Sequence, residues 1–129
     1  MPVQASPMIV LIEDSHTQAL QIAAHLTQRD FRVMVAEDGP QGLRLISGIM
    51  PDVVLLDIYL PTMDGFQVCR RLKRDPDTAH IPIIMLTSAD NEADKARGIE
   101  NGATAYITKD EQAVDSLLEA LKYLHILVE

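Results

Sequence analysis

Five short apolar runs alternate along the chain with five segments whose apolar residues recur at helical spacing. Met8 to Ile12 and Val53 to Leu56 are apolar without a break, the pattern of strands covered on both faces. Ile81 to Leu86 reads the same way, with Pro82 tolerable near its start. Phe31 to Ala36 is interrupted by Arg32 and suits a sheet edge, and Ala105 to Ile107 makes a short last strand. The helices fall between. Ser15 and Gln18 have capping-box spacing ahead of Ala19, Ile22, Ala23 and Leu26. Asp38 can cap a helix from about Pro40 to Gly48 that buries Leu43 and Ile46. Asp64 can cap the next, with Phe66, Cys69 and Leu72 inward, and Asp75, Pro76 and Asp77 break it. Glu92 to Asn101 is a weaker helix ended by Gly102. From Glu111 onward, Val114, Leu117, Leu118, Leu121 and Leu124 share one face.

Strand and helix alternating five times predict an α/β fold, a doubly wound five-stranded parallel sheet with five helices. A chain of 129 residues suits one domain over 1–129, with 1–7 a flexible N-terminus and 125–129 a C-terminal extension. Leu124 to Val128 is more apolar than one helix face requires. It could finish the last helix, dimerise, or lead toward a removed domain. Apolar residues make up 47% of the sequence, enough for a core, and the net charge of −8 repels phosphate backbones and anionic lipids. Direct nucleic-acid and membrane partners are therefore not expected. Cys69 is the only cysteine, so an intrachain disulfide is impossible and a reducing compartment fits. Met1 to Pro7 lacks a signal-peptide pattern, and no apolar run approaches the ~20 residues that span a bilayer. A cytoplasmic protein is expected.

Ligands of open parallel sheets bind beyond the carboxyl ends of the strands. There the sequence places Glu13 and Asp14, Asp57, Thr87 and Ser88, and Thr108 and Lys109. If strands one and three are neighbours, three carboxylates meet and require a cation or protons. Oxygen ligands suit Mg²⁺, which keeps waters and takes one or two carboxylates plus a phosphoryl oxygen. Lys109 adds a positive charge and Thr87 a hydroxyl. Together these groups suit phosphoryl transfer, with Asp57 the nucleophile that becomes an acyl phosphate.

Five segments carry a family resemblance: Ile-Glu-Asp-Ser (12 to 15), Val-Leu-Leu-Asp (54 to 57), Leu-Pro-Thr-Met-Asp-Gly (60 to 65), Leu-Thr-Ser-Ala (86 to 89) and Ala-Tyr-Ile-Thr-Lys (105 to 109). Their order and gaps resemble the receiver domains of two-component response regulators. The resemblance implies a flavodoxin-like sheet of order 2-1-3-4-5 and a phosphorylation switch in place of a turnover enzyme. Asp57 resembles the phosphoacceptor. Glu13, Asp14, Asp57 and the backbone carbonyl of Tyr59 resemble the Mg²⁺ ligands. Thr87 and Lys109 resemble the residues that contact the phosphoryl group, and Tyr106 the switch aromatic that turns inward when Thr87 moves. The implied output face is the fourth helix, fifth strand and fifth helix. The implied partners are a histidine kinase or phosphotransfer protein and a downstream protein target or removed output domain, with the chain itself a monomer or weak dimer. Asp110 stands where the family usually has proline, often after a cis bond. A cis bond before a non-proline residue costs ~3–4 kcal/mol, so a trans bond is expected, and Asp110 could cap the last helix.

Alone, each residue has a blander reading: a solvated acidic loop, a helix cap, turn hydroxyls, a half-buried tyrosine and a surface lysine. The combination separates the functional reading from these. The alternative is a receiver-like interaction module that works without phosphorylation. A flavin-binding protein would want a hydroxyl- and glycine-rich loop where Glu13 and Asp14 stand. His16 lies near the acids, but a lone exposed histidine is by default solvated and not a ligand; His25, His80 and His125 lack metal-ligand spacing. Cys69 belongs to the core, and Arg70, Arg71, Lys73 and Arg74 form a basic patch whose default is a solvated helix face.

Overall fold

The computed structural model describes residues 6–88, 92–124 and 126. Most of the expected N-terminal segment, Ala89, His125 and most of the C-terminal extension therefore lie outside the described residues. Ten elements alternate in the order β1 (Met8–Ile12), α1 (His16–Thr27), β2 (Arg32–Ala36), α2 (Gly39–Ile49), β3 (Val53–Leu56), α3 (Gly65–Arg74), β4 (Ile83–Thr87), α4 (Glu92–Glu100), β5 (Ala105–Thr108) and α5 (Ala113–Tyr123). The strands are all parallel and ordered β2-β1-β3-β4-β5.

The uninterrupted apolar runs follow from a sheet covered on both sides. Val10 and Ile12 of β1, Val54 and Leu56 of β3, and Ile83 and Met85 of β4 face one core layer, with Ile46 of α2 and Phe66, Cys69 and Leu72 of α3. The alternate residues Ile9, Leu11, Val53, Leu55, Ile84 and Leu86 face the other layer, with Leu26 of α1 and Leu117 and Leu121 of α5. The two edge strands depart from this pattern: β2 exposes Met34 and Val35, and β5 is mostly half-buried. Among the described residues no helix is long and apolar enough to cross a membrane.

Several boundaries differ from the sequence reading for local reasons. Phe31 closes the turn after α1, its N–H donating to the Leu26 carbonyl, so β2 starts one residue later. Ile81 likewise donates to Thr78 within a turn, and Pro82 has no N–H, so β4 pairs from Ile83 and runs on to Thr87. Asp38 and Asp64 cap α2 and α3 as expected. Gly102 takes a left-handed φ of 100° just beyond α4. Asp110 is not the cap of α5. Its carboxylate accepts from the Gln112 N–H at 2.9 Å, and α5 begins at Ala113 without a side-chain cap. Among the described residues every peptide bond is trans, including Lys109–Asp110.

Candidate functional site

Parallel pairing of β1 with β3 brings Ile12 opposite Leu56, so the residues that follow them leave the sheet side by side. The Asp57 N–H donates to the Ile12 carbonyl at 3.1 Å, and the Glu13 N–H donates to Ala36 at 2.9 Å. Both side chains thus start from backbone still held by the ladder. Glu13, Asp14 and Asp57 offer carboxylate oxygens that all lie within 4.8 Å of one another. Glu13 and Asp57 are buried while Asp14 faces solvent.

Among the described residues one cation pairs with these acids. Lys109 follows β5, and its N–H donates to the Thr87 carbonyl at 2.7 Å, which sets the start of the last loop. Its ammonium forms an ion pair with Glu13 Oε1, a 3.0 Å pair with Asp57 Oδ2, and a 2.7 Å hydrogen bond to Gln18 Oε1 of α1. Burial nevertheless raises the Glu13 carboxyl above its ordinary range, with the hydrogen bond from Lys109 pulling the other way. Asp57 accepts a further 3.3 Å bond at Oδ1 from the Tyr59 N–H.

The segment after Asp57 doubles back under it. Gly65 N–H donates to the Ile58 carbonyl at 2.8 Å, and a Cβ on Gly65 would lie 2.3 Å from the Asp57 carbonyl oxygen. Only glycine allows this approach. Asp64 and Gln67 complete a reciprocal capping box at 2.9 and 3.1 Å that starts α3 directly behind the site.

The structure therefore joins Glu13, Asp14, Asp57 and Lys109 directly. Thr87 ends β4 fully buried at the same edge of the sheet, opposite Thr108 in the ladder. Tyr106 lies one strand out, half-buried against the core layer under α4, where a Cβ on Gly98 would sit 3.5 Å from its ring. The Tyr59 side chain is exposed, and its hydroxyl donates to Asp94 of α4 at 3.1 Å. The sequence reading missed Gln18 and Asp94. Gln18 was visible only as half of a capping box, and nothing about Asp94 marked it. The basic patch also needs correcting. Arg70, Arg71 and Arg74 are exposed, but the Lys73 ammonium turns inward to the carbonyls of Ala79 and Ile81 at 3.0 and 2.7 Å.

Three acids and one ammonium at the ends of β1, β3 and β5 fit a phosphoryl site, and comparison with known proteins decides the family. A model of the response regulator receiver domain matches residues 9–122. The chain belongs to that family. PilH of Pseudomonas aeruginosa is 38% identical over 115 residues, which cover 88% of this receiver domain and 95% of PilH. Response regulator PleD of Caulobacter vibrioides is 40% identical over 104 residues, 81% of this chain and 23% of PleD, so the chain spans about a quarter of that relative. The receiver domain of a Pseudomonas aeruginosa sensor histidine kinase superposes with a TM-score of 0.83 at 26% identity, covering 94% of this chain and 99% of that one. Its crystal structure holds a magnesium ion in the active-site cleft. The carboxylate cluster in this receiver domain supplies hard oxygen donors of the kind such an ion takes.

Proposed function

We propose that this receiver domain is a cytoplasmic switch that accepts a phosphoryl group on Asp57 from the phosphohistidine of a kinase or phosphotransfer protein. The observation that carries the proposal is the place of Asp57, buried at the end of β3 with the Lys109 ammonium 3.0 Å from Oδ2 and two further carboxylates within 4.8 Å. An Asp57 oxygen attacks phosphorus, the phosphorus–nitrogen bond of the donor breaks, and the departing imidazole takes a proton. Lys109 neutralises charge on the transferring oxygens. Glu13, Asp14, Asp57 and the Tyr59 carbonyl would hold Mg²⁺, which supplies further charge neutralisation when bound.

The aspartyl phosphate then biases a two-state element. Its oxygens offer Lys109 and the Thr87 hydroxyl better partners in one loop arrangement than in the other, and only that difference shifts the population. In this reading the end of β4, where Thr87 is buried, moves toward the phosphoryl group. Tyr106 fills the space that movement opens, and α4, β5 and α5 present the change to a downstream target. The switch is its own modest catalyst of phosphorylation and hydrolysis, and not a turnover enzyme. Incubation with acetyl phosphate and Mg²⁺ followed by intact-mass measurement tests this. Wild type should gain one phosphoryl group and Asp57→Asn none. An unshifted wild-type mass would leave the chain an interaction module that works without phosphorylation.

A further inference from the structure

We infer that Gln18 is the positioning residue for Lys109, holding its ammonium at the site through the phosphorylation cycle; this rests on the reading of Asp57 as phosphoacceptor. An ammonium has three donors, and the acceptors of Lys109 are Glu13 Oε1, Asp57 Oδ2 and Gln18 Oε1. Two of these are oxygens of the acid cluster, which a cation or a phosphoryl group would engage. Gln18 is neutral and lies outside that cluster. Among the described acceptors, it is the one that can keep Lys109 in place while the other two change partners.

The first turn of α1 shows that the side chain has been diverted. Ser15 and Gln18 have the spacing of a capping box, and the Gln18 N–H does donate to Ser15 Oγ at 3.3 Å. The return bond is missing: the Ser15 N–H donates to Glu13 Oε2 at 3.1 Å, and the Gln18 amide oxygen goes to Lys109. In α3 the same pattern closes fully, Asp64 with Gln67. Thus α1 forgoes one bond of its cap, and both groups released by it turn to the site. The last loop has a use for such a tether. It carries Asp110 in place of proline, its peptide bond is trans, and α5 begins without a side-chain cap.

Gln18→Met keeps length and helix propensity and removes the acceptor, at an exposed position that leaves the core intact. Two readouts are needed. In metal-free protein, the Lys109 side-chain ¹⁵N resonance should move and its ammonium protons exchange faster in Gln18→Met. With acetyl phosphate and Mg²⁺, the phosphorylation rate should fall about tenfold, the scale of one charge-assisted hydrogen bond. Gln18→Met should add no further loss in a Lys109→Ala background, because its effect passes through Lys109. An unmoved Lys109 resonance, or an equal loss with and without Lys109, overturns the inference. If wild type takes up no phosphoryl group, the reading of Asp57 fails, and the metal-free resonance still decides whether Gln18 holds Lys109.

Discussion

Lys109→Ala gives the most direct test of the site's electrostatics. The substitution leaves Glu13 and Asp57 as carboxylates at 2% and 7% exposure without their cation. At an effective dielectric near 20, one unit pair at 3.0 Å has a gross attraction of about 5–6 kcal/mol, before desolvation is subtracted. Breaking a buried pair commonly costs about 3–5 kcal/mol. The Lys109 side chain keeps 15% of its exposure, and the carboxylates can take up protons, so about 2–3 kcal/mol is expected here. For a domain of this size that lowers Tm by about 6–12 °C in EDTA. Mg²⁺ should then reverse the order of effects. In wild type a metal at the cluster competes with the ammonium for Glu13 and Asp57, and in the variant it does not. At a hundred times its Kd a ligand stabilises by about 2.7 kcal/mol. Added Mg²⁺ should therefore raise the Tm of Lys109→Ala more than that of wild type, and at lower concentration. Differential scanning calorimetry with and without Mg²⁺ reads both effects. A variant melting within about 2 °C of wild type in EDTA, or identical Mg²⁺ titrations, refutes the reasoning.

Three further outcomes are expected. Burial raises Glu13 above its ordinary value of 4.5 in metal-free protein, so its contribution to stability is complete below that pH and is lost as pH rises through the folded value. The stability of wild type relative to Glu13→Gln, from urea melts in EDTA, should accordingly decline with rising pH over that window; a flat difference contradicts it. Gly65→Ala would press a Cβ to 2.3 Å from the Asp57 carbonyl and 2.8 Å from the Ile58 Cα, both backbone atoms, and should cost about 1–3 kcal/mol. An unchanged urea midpoint would show that the loop yields. Burial pushes the Cys69 thiol up to about 11, and its Sγ lies 3.2 Å from the Asn101 carbonyl, so a thiol reagent should label it only as the chain unfolds. Rapid labelling of folded protein would place Cys69 outside the core.

Much of this was legible because both halves of the pattern are local. Runs such as Val53 to Leu56 are apolar at every position, which suits a doubly covered strand, and residues that end such parallel strands emerge at one sheet edge. Asp57 and Lys109 could thus be placed near each other before any coordinates. What escaped depended on which way a flexible side chain turned. Gln18 satisfied a helix-start pattern, and the competing acceptor need of Lys109, ninety-one residues away, has no local trace. Lys73 sits in a run of cations, and only the fold shows two carbonyls within its reach. The late starts of β2 and β4 share one origin. Phe31 and Ile81 are apolar and buried, as strand residues are, yet their N–H groups are already committed to turns.

The arrangement also suits the proposed response to a phosphoryl group. Three carboxylates against one ammonium leave two negative charges at the mouth of the sheet when all are ionised. Metal-free protein relieves that excess in two ways: Lys109 lies across Glu13 and Asp57, and Glu13 binds its proton more tightly than usual. Neither remedy is permanent, since an ammonium can swing on its stem and a proton can leave. A divalent cation would compete with both for the carboxylates. Lys109, released from the two carboxylates, would then meet new anionic oxygens on Asp57. A site neutralised by fixed, mutually satisfied pairs would be more stable and could not register a phosphoryl group. Because the same carboxylates serve the ammonium and would serve a metal, Lys109→Ala should change metal response and stability together.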